Sequence, residues 1–427
     1  MFKIDDIKLK IIKDSRGEDT LEAVMKSGPF EVSSSIPKGK SRGEREAYLV
    51  DPQTALTNFE KIKTGLLKQS FESLIDFDNC LSKTDGTDNK KNLGGNLTLV
   101  LSQAFARLAA KTQGLKLWQY LREELFAIAP ELKNTLKKIS SPFFLFNLIN
   151  GGQHAPYGPK IQEYLLVPKI DNPRVSLELA EIFFAGLKEY FLKEYGENKF
   201  GDEGGLLMPE NNYEKPLEVF SQVRKELKLE KDVGFSLDAA ASSFYHKETK
   251  NYGLLPTQKF SSKELREIYQ ELNKKYHLIS VEDPFEENDF ENFQKITSLF
   301  TRKTIILSGA RNKVLPSRAR QVLIIGDDLT VTNPKLLVKA ATEKAISGII
   351  IKPTQIGTIT ETLKTIALAH QKQIKIIVSH RSAETLDDFI GDLTVASNAW
   401  GLKAGAPQPE ERMVKYNRII EILSSSS

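Results

Sequence analysis

The stretch GIIIKPTQIG, residues 348–357, runs three isoleucines straight into a lysine between two glycines. A short apolar, β-branched run flanked by glycine reads as a buried strand. Lys352 therefore stands at the end of something apolar, where an ammonium loses its hydration unless it is paired. Such a lysine has either a partner or a chemical task. Pro353 biases it toward extended backbone, which agrees with a strand end and does not choose between the two.

Seven more runs of this kind extend outward from residue 140 or so: FFLFNLING, EYLLVP, GFSLDAA, LISVEDP, VLIIGDD, KIIVSHR and WGLKAG. They alternate with amphipathic helical stretches, which predicts an α/β fold with parallel pairing, as a barrel or an open sheet. Ahead of them, residues 1 to about 50 read as a meander, and helical patterns at about 54–69 and 97–112 surround the polar SKTDGTDNKKNLGG. At 427 residues the chain has room for two domains, one of them a barrel.

Composition narrows the class. With 60 basic and 56 acidic residues the net charge is +4, too weak at this length to make nucleic acid the main partner. Cys80 is the only cysteine, which excludes an internal disulfide framework and cysteine-rich metal sites, and suits a reducing cytoplasm. The start, MFKIDDIKLK, lacks the apolar core of a signal peptide, and no run approaches a membrane span of ~18 apolar residues. The expectation is a soluble, cytoplasmic protein, with the closing SSSS a frayed tail.

The apolar runs end in ionisable residues, and in barrels the C-terminal edge of the strands carries the chemistry. Asp238 follows GFSL, Glu282 follows LISV, Asp327 follows VLIIG, His380 and Arg381 follow KIIVS, and Lys403 follows WGL. Three carboxylates at one mouth would raise one another's pKa unless a cation sat among them. Oxygen-only ligands without cysteine or clustered histidine suit Mg²⁺ better than zinc. Taken singly, each carboxylate is an ordinary strand-end cap, and Lys352 reads equally as a lysine paired to a neighbouring strand. Beside a divalent cation and the second ammonium of Lys403, its pKa would be pushed down, toward a neutral base. FGDEGG, 200–205, holds Asp202 and Glu203 between glycines, as a site loop or a surface turn. NGGQHAPYG, 150–158, is a glycine-rich loop carrying His154, and Glu163 in IQEYLL enters an apolar run, where a raised pKa is one escape from the cost of burial.

Nine strings in order, DSRG (14–17), NGGQHA (150–155), IQEY (161–164), GDEGG (201–205), SVEDPF (280–285), GDDLTVTNP (326–334), IIKPTQIGT (350–358), SHRSAET (379–385) and LKAGAP (402–407), resemble the enolase family over residues 4 to 423. The resemblance implies a small α+β N-terminal domain, 1–135, before an eight-stranded TIM-like barrel, 136–427, whose first elements are irregular. It implies reversible dehydration of 2-phosphoglycerate to phosphoenolpyruvate with two Mg²⁺ per site, in a homodimer or an assembly of dimers. Carried over by motif, Asp238, Glu282 and Asp327 would bind the first Mg²⁺, and Ser41 would help bind the second. Lys352 would take the C2 proton, Lys403 would stabilise the charge that develops, and Glu203, assisted by Glu163, would protonate the leaving hydroxyl. Arg381 and Ser382 would hold phosphate, His154 would sit on a closing loop, and Gln162, His380, Asp202 and Asp283 would be substrate or supporting contacts.

The departures are local. PKGKSRGE around Ser41 adds Lys38, Lys40 and Arg42, and Ala383, Thr354, Ala404 and Ser243 replace the family's glycine, asparagine, threonine and glutamate. The 282-to-327 step is overlong, with the surplus in RKTIILSGARNKVLPSRARQ, 302–321, a solvated extension or a contact for an anionic partner such as RNA. Two other functions stay open: an acid-sugar dehydratase using the same enolisation, and a non-catalytic binding paralogue.

Overall fold

The computed structural model describes residues 1–39, 45–301 and 322–425. Ser41, expected to help bind a second Mg²⁺, and the 302–321 stretch fall outside the described residues. The N-terminal meander is an antiparallel sheet of β1 (Asp6–Lys13), β2 (Asp19–Ser27) and β3 (Phe30–Ser35). Strand alternation puts Leu21, Ala23 and Met25 on one buried face of β2. That face packs on the helix Gly95–Thr112, which is buried along almost its whole length because the sheet covers one side and the barrel the other. The helix Pro52–Leu67 starts as its sequence dictates, with the Asp51 carboxylate accepting from Thr54 N and proline at the first position.

The eight apolar runs form the eight strands of a closed barrel: β4 (Phe143–Asn150), β5 (Glu163–Pro168), β6 (Val233–Asp238), β7 (Ser280–Glu282), β8 (Leu323–Gly326), β9 (Gly348–Ile351), β10 (Lys375–Ser379) and β11 (Gly401–Lys403). β11 pairs in parallel with β4 to close the circle. Parallel pairing fails in one place, since β5 runs antiparallel to both β4 and β6. A parallel return needs a crossover of about a dozen residues or more, usually helical. Residues 151–162 instead hold a single 3₁₀ turn, Gly152–His154, so the chain doubles back.

Inversion of β5 matters because it brings the start of that strand, Glu163, to the same rim as the ends of the others. Glu163 lies opposite Asp238, and Asp238 opposite Glu282. Leu145, Leu165, Val167, Ile325, Ile350 and Ile377 make a separate apolar cluster inside the barrel. Two residues beyond Ile350 the same face of the chain presents Lys352, so the isoleucine-to-lysine step is the passage from barrel core to barrel mouth.

The N-terminal helices also cap the barrel helix Ile359–Gln371, which follows Lys352 after one short turn. Ile359 N donates to Ser102 Oγ at 3.0 Å, Thr360 N to Asp78 Oδ2 at 2.8 Å, and Thr98 Oγ1 to the Gly357 carbonyl at 2.8 Å. Burial raises the Asp78 carboxyl to about 7. The fold keeps this proton up to that pH, whereas the unfolded chain releases it near ~3.9. In that window the unfolded state binds fewer protons, so stability falls as pH rises from about 4 to about 7. Asp78→Asn is expected to flatten that slope and to add a few kcal/mol, in order of magnitude, at pH 8. Urea unfolding of both proteins across pH 4–8 checks this, and parallel curves would contradict it.

Candidate active site

Every predicted site residue among those described, Glu282 and Asp202 apart, lines one cavity of about 280 Å³ at the barrel mouth. Glu282 meets the cavity through Lys403, whose side chain is 2% exposed. Lys403 Nζ lies 2.9 Å from Asp238 Oδ2, 3.0 Å from both oxygens of Glu282 and 3.0 Å from Glu163 Oε2. Burial alone would lower its pKa, but Asp238, Glu163 and Glu282 outweigh burial and hold the ammonium well above the ordinary lysine range.

Lys352 is paired to Asp327 Oδ2. The sequence suggests a lowered pKa here, yet Asp327 outweighs burial and holds the ammonium above its ordinary value. Asp327 is itself fixed on every side. Its other oxygen accepts from Gln355 Nε2 at 2.9 Å, Gln355 Oε1 accepts from Thr332 Oγ1 at 2.7 Å, and Thr332 Oγ1 accepts from Lys352 N at 2.9 Å. Asp283 sits at φ +40 and accepts from the backbone N–H groups of Asp327 at 3.0 Å and Asp328 at 2.7 Å. That supporting role matches its place beside Glu282 in sequence.

The opposite wall holds the Glu203 group. Its Oε2 accepts from Asn147 Nδ2 at 2.9 Å and faces His380 Nε2 at 3.4 Å. His154 Nδ1 lies between Glu203 and Glu163, at 3.6 and 3.7 Å. Burial, with Glu203 beside it, raises Glu163 well above the carboxylate range. Burial would do the same to Glu203, but His380 and His154 outweigh it and keep Glu203 well below that range. Burial also lowers His380 to about 4, so at neutral pH it serves Glu203 as a neutral hydrogen-bond donor. Of two adjacent carboxyls, Glu163 is therefore the one that holds a proton.

Arg381 Nη1 reaches Glu46 at 3.0 Å and Thr354 Oγ1 at 3.3 Å. Gln162 Nε2 is 3.4 Å from Asp238 Oδ2. Asp202 lies outside the cavity wall, 3.8 Å from Arg16, and Ser382 is buried on the wall. Lys38 is committed to Glu18 at 3.0 Å, so part of the extra charge ahead of Ser41 is already compensated. Glu46, Thr332, Gln355 and Asn147 are not legible as site residues in the sequence. Gln355 stands within the opening stretch, but an amide carries no charge signal, and Glu46 reads as one more acid in a polar segment.

The donor set fits a hard divalent cation. Burial and neighbouring carboxylates hold Glu282 and Asp283 well above the usual range and Asp328 at about 7, a repulsion that added positive charge relieves. Among the described residues two groups have donor atoms within 4.8 Å of one another, Asp283/Asp327/Asp328 and His154/Glu163/Glu203. The expected trio is neither of these: Asp327 joins the first, while Asp238 and Glu282 are drawn onto Lys403.

Comparison with known proteins follows the same division of the chain. Residues 4–121 match the model of the enolase N-terminal domain, and residues 138–425 that of the enolase C-terminal TIM barrel domain. An enolase of Sulfurisphaera tokodaii is 34% identical over 99% of this chain and 95% of its own length. Enolase 2 of Lactobacillus johnsonii is 36% identical over 98% and 94%, and an enolase of Methanococcus vannielii 34% identical over 99% and 95%. With two family models spanning most of its length and relatives aligned end to end, the chain belongs to the enolase family.

Proposed function

We propose that this lyase of the enolase type dehydrates 2-phospho-D-glycerate reversibly to phosphoenolpyruvate, with Lys352 as base and Glu203 as acid. The observation that carries the reading is the distribution of charge at the mouth. Two ammoniums, the half-buried Lys352 and the buried Lys403, stand with the carboxylates of one wall, and on the other a proton-holding Glu163 lies beside an ionised Glu203. Divalent metal, two Mg²⁺ per site by the family's pattern, would be held by Asp238, Glu282 and Asp327, with Ser41 for the second, and would polarise the substrate carboxylate.

The C2 proton is weakly acidic because its removal leaves a doubly charged carboxylate group. Lys352 is a charged ammonium against Asp327, so it must first lose a proton to solvent, which withdrawal of the Asp327 carboxylate favours; as the neutral amine it then accepts the C2 proton at Nζ. Lys403 is fixed by Asp238, Glu282 and the carboxyl of Glu163 and faces the charge that appears only as the proton leaves, so its stabilisation is spent on the transition state. Glu203 is ionised in the resting site, so the proton that Glu163 holds passes to it before Glu203 gives it to the departing C3 hydroxyl. Arg381, oriented by Glu46, and Ser382 take the phosphate as a charged, planar clamp. Retention of this clamp favours a phosphorylated substrate over an acid sugar.

A homodimer in the cytoplasm completes the proposal, and no helix among the described residues is long and apolar enough to cross a membrane. Ultraviolet absorbance of the product's enol phosphate, followed with 2-phosphoglycerate and Mg²⁺ raised from zero, tests the reading. Metal-dependent growth of the signal is expected. Silence from folded protein at saturating Mg²⁺ would move it to a binding paralogue.

A further inference from the structure

Arg412 is fully buried near the start of the last helix, Glu410–Ser424, and none of its contacts is with a functional carboxylate. Its Nη1 lies 2.5 Å from His380 Nδ1 and donates to the Arg381 carbonyl at 2.8 Å. Its Nη2 donates to the Ser382 carbonyl at 2.7 Å and the Asp202 carbonyl at 3.2 Å. One planar group thus ties together the backbone on both sides of the pocket's acid wall. The glycine at 405, with φ +89, permits this approach, because a Cβ there would meet Arg412 Cδ and the Glu203 carbonyl, both at 3.0 Å.

A guanidinium has donors only and stays charged. At His380 Nδ1 it can therefore only donate, and that nitrogen must carry the lone pair. A neutral imidazole then bears its hydrogen on Nε2, the nitrogen that faces Glu203 Oε2. We propose that Arg412 is a positioning residue for the acid half of the reaction: it fixes the Nε2–H tautomer of His380 and holds residues 380–382 against the loop of Asp202 and Glu203. The inference rests on the reading of Glu203 as acid and Lys352 as base.

The first test leaves the chain unmutated. In ¹⁵N-histidine-labelled protein at pH 7, with His380→Asn supplying the assignment, the His380 nitrogens are expected to report Nε2–H. An Nδ1–H tautomer or an imidazolium would overturn the proposal whatever the chemistry of the site.

The second test separates the half-reactions with Arg412→Lys, which keeps the charge and loses the fork. At saturating 2-phosphoglycerate and Mg²⁺, dehydration is expected to fall about 100-fold, the scale of a small misplacement. Exchange of the C2 hydrogen with solvent is expected to stay within about threefold, since Lys352 lies outside the Arg412 contacts. Equal loss of both rates, or of neither, contradicts the positioning role. Glu203→Gln is measured alongside: if that variant also loses C2 exchange, the assignment of acid and base fails rather than the role of Arg412.

Discussion

Replacing Lys352 with alanine is expected to lower kcat by about four orders of magnitude, the upper range for loss of a positioned base. The fold is expected to persist. Ile350 and its partners still fill the barrel, and Asp327 keeps the Gln355 amide and the backbone support arranged by Asp283. KM is expected to change much less than kcat, because the proposed phosphate clamp of Arg381 and Ser382 does not involve Lys352. Kinetics by product absorbance, with circular dichroism on the same samples, checks both halves. Wild-type turnover in a correctly folded Lys352→Ala protein would sink the mechanism.

Lys403→Met should show the second large effect, and it should reach stability as well as rate. The methionine keeps an unbranched side chain one atom shorter than lysine but leaves Asp238, Glu163 and Glu282 buried without the ammonium they share. Breaking a buried ion pair from one side costs about 3–5 kcal/mol. Loss of a group aimed at developing charge costs about 10²–10³ in kcat. The pH dependence distinguishes this from a packing defect. In the wild type the Lys403 pKa is raised, so its contribution is complete below the unfolded value near ~10.4 and is lost only as pH climbs through the higher folded value. In the variant the buried carboxyls keep protons that the unfolded chain releases, so stability should fall as pH rises from about 5 to 8. Denaturation midpoints at both ends of that range, with and without Mg²⁺, test the point. The expected result is a steep, Mg²⁺-relieved loss in Lys403→Met, and a variant that parallels the wild type would argue against the ion cluster.

Much of this arrangement is legible in the order of residues alone. Eight apolar runs correspond to eight strands, and the ionisable residue closing most of them is a rim position, because a strand's two-residue period carries the core face directly into the mouth. The direction of β5 is not legible, since EYLLVP has the same pattern read either way along the sheet. Only the linker, which holds a 3₁₀ turn in place of a crossover helix, decides it, and with it the reason Glu163 faces the cavity. The protonation states are also hidden. Lys352 looks like a lowered lysine beside other cations, yet its pKa follows the carboxylate that three-dimensional packing sets against it. Arg412 escapes notice because PEERMVKYNR reads as the polar start of a surface helix, with nothing local to show that its guanidinium lies behind residues 380–382.

The central claim is that proton removal and hydroxyl loss belong to opposite walls of one cavity, and C2 hydrogen exchange tests it most directly. 2-Phosphoglycerate and Mg²⁺ in deuterium oxide are followed by proton NMR with wild type, Lys352→Ala and Glu203→Gln. The expected result is that Glu203→Gln exchanges the C2 hydrogen at close to the wild-type rate while forming no phosphoenolpyruvate, and that Lys352→Ala does neither. Exchange at the wild-type rate by Lys352→Ala would contradict it, because the proton would then be leaving to some other group.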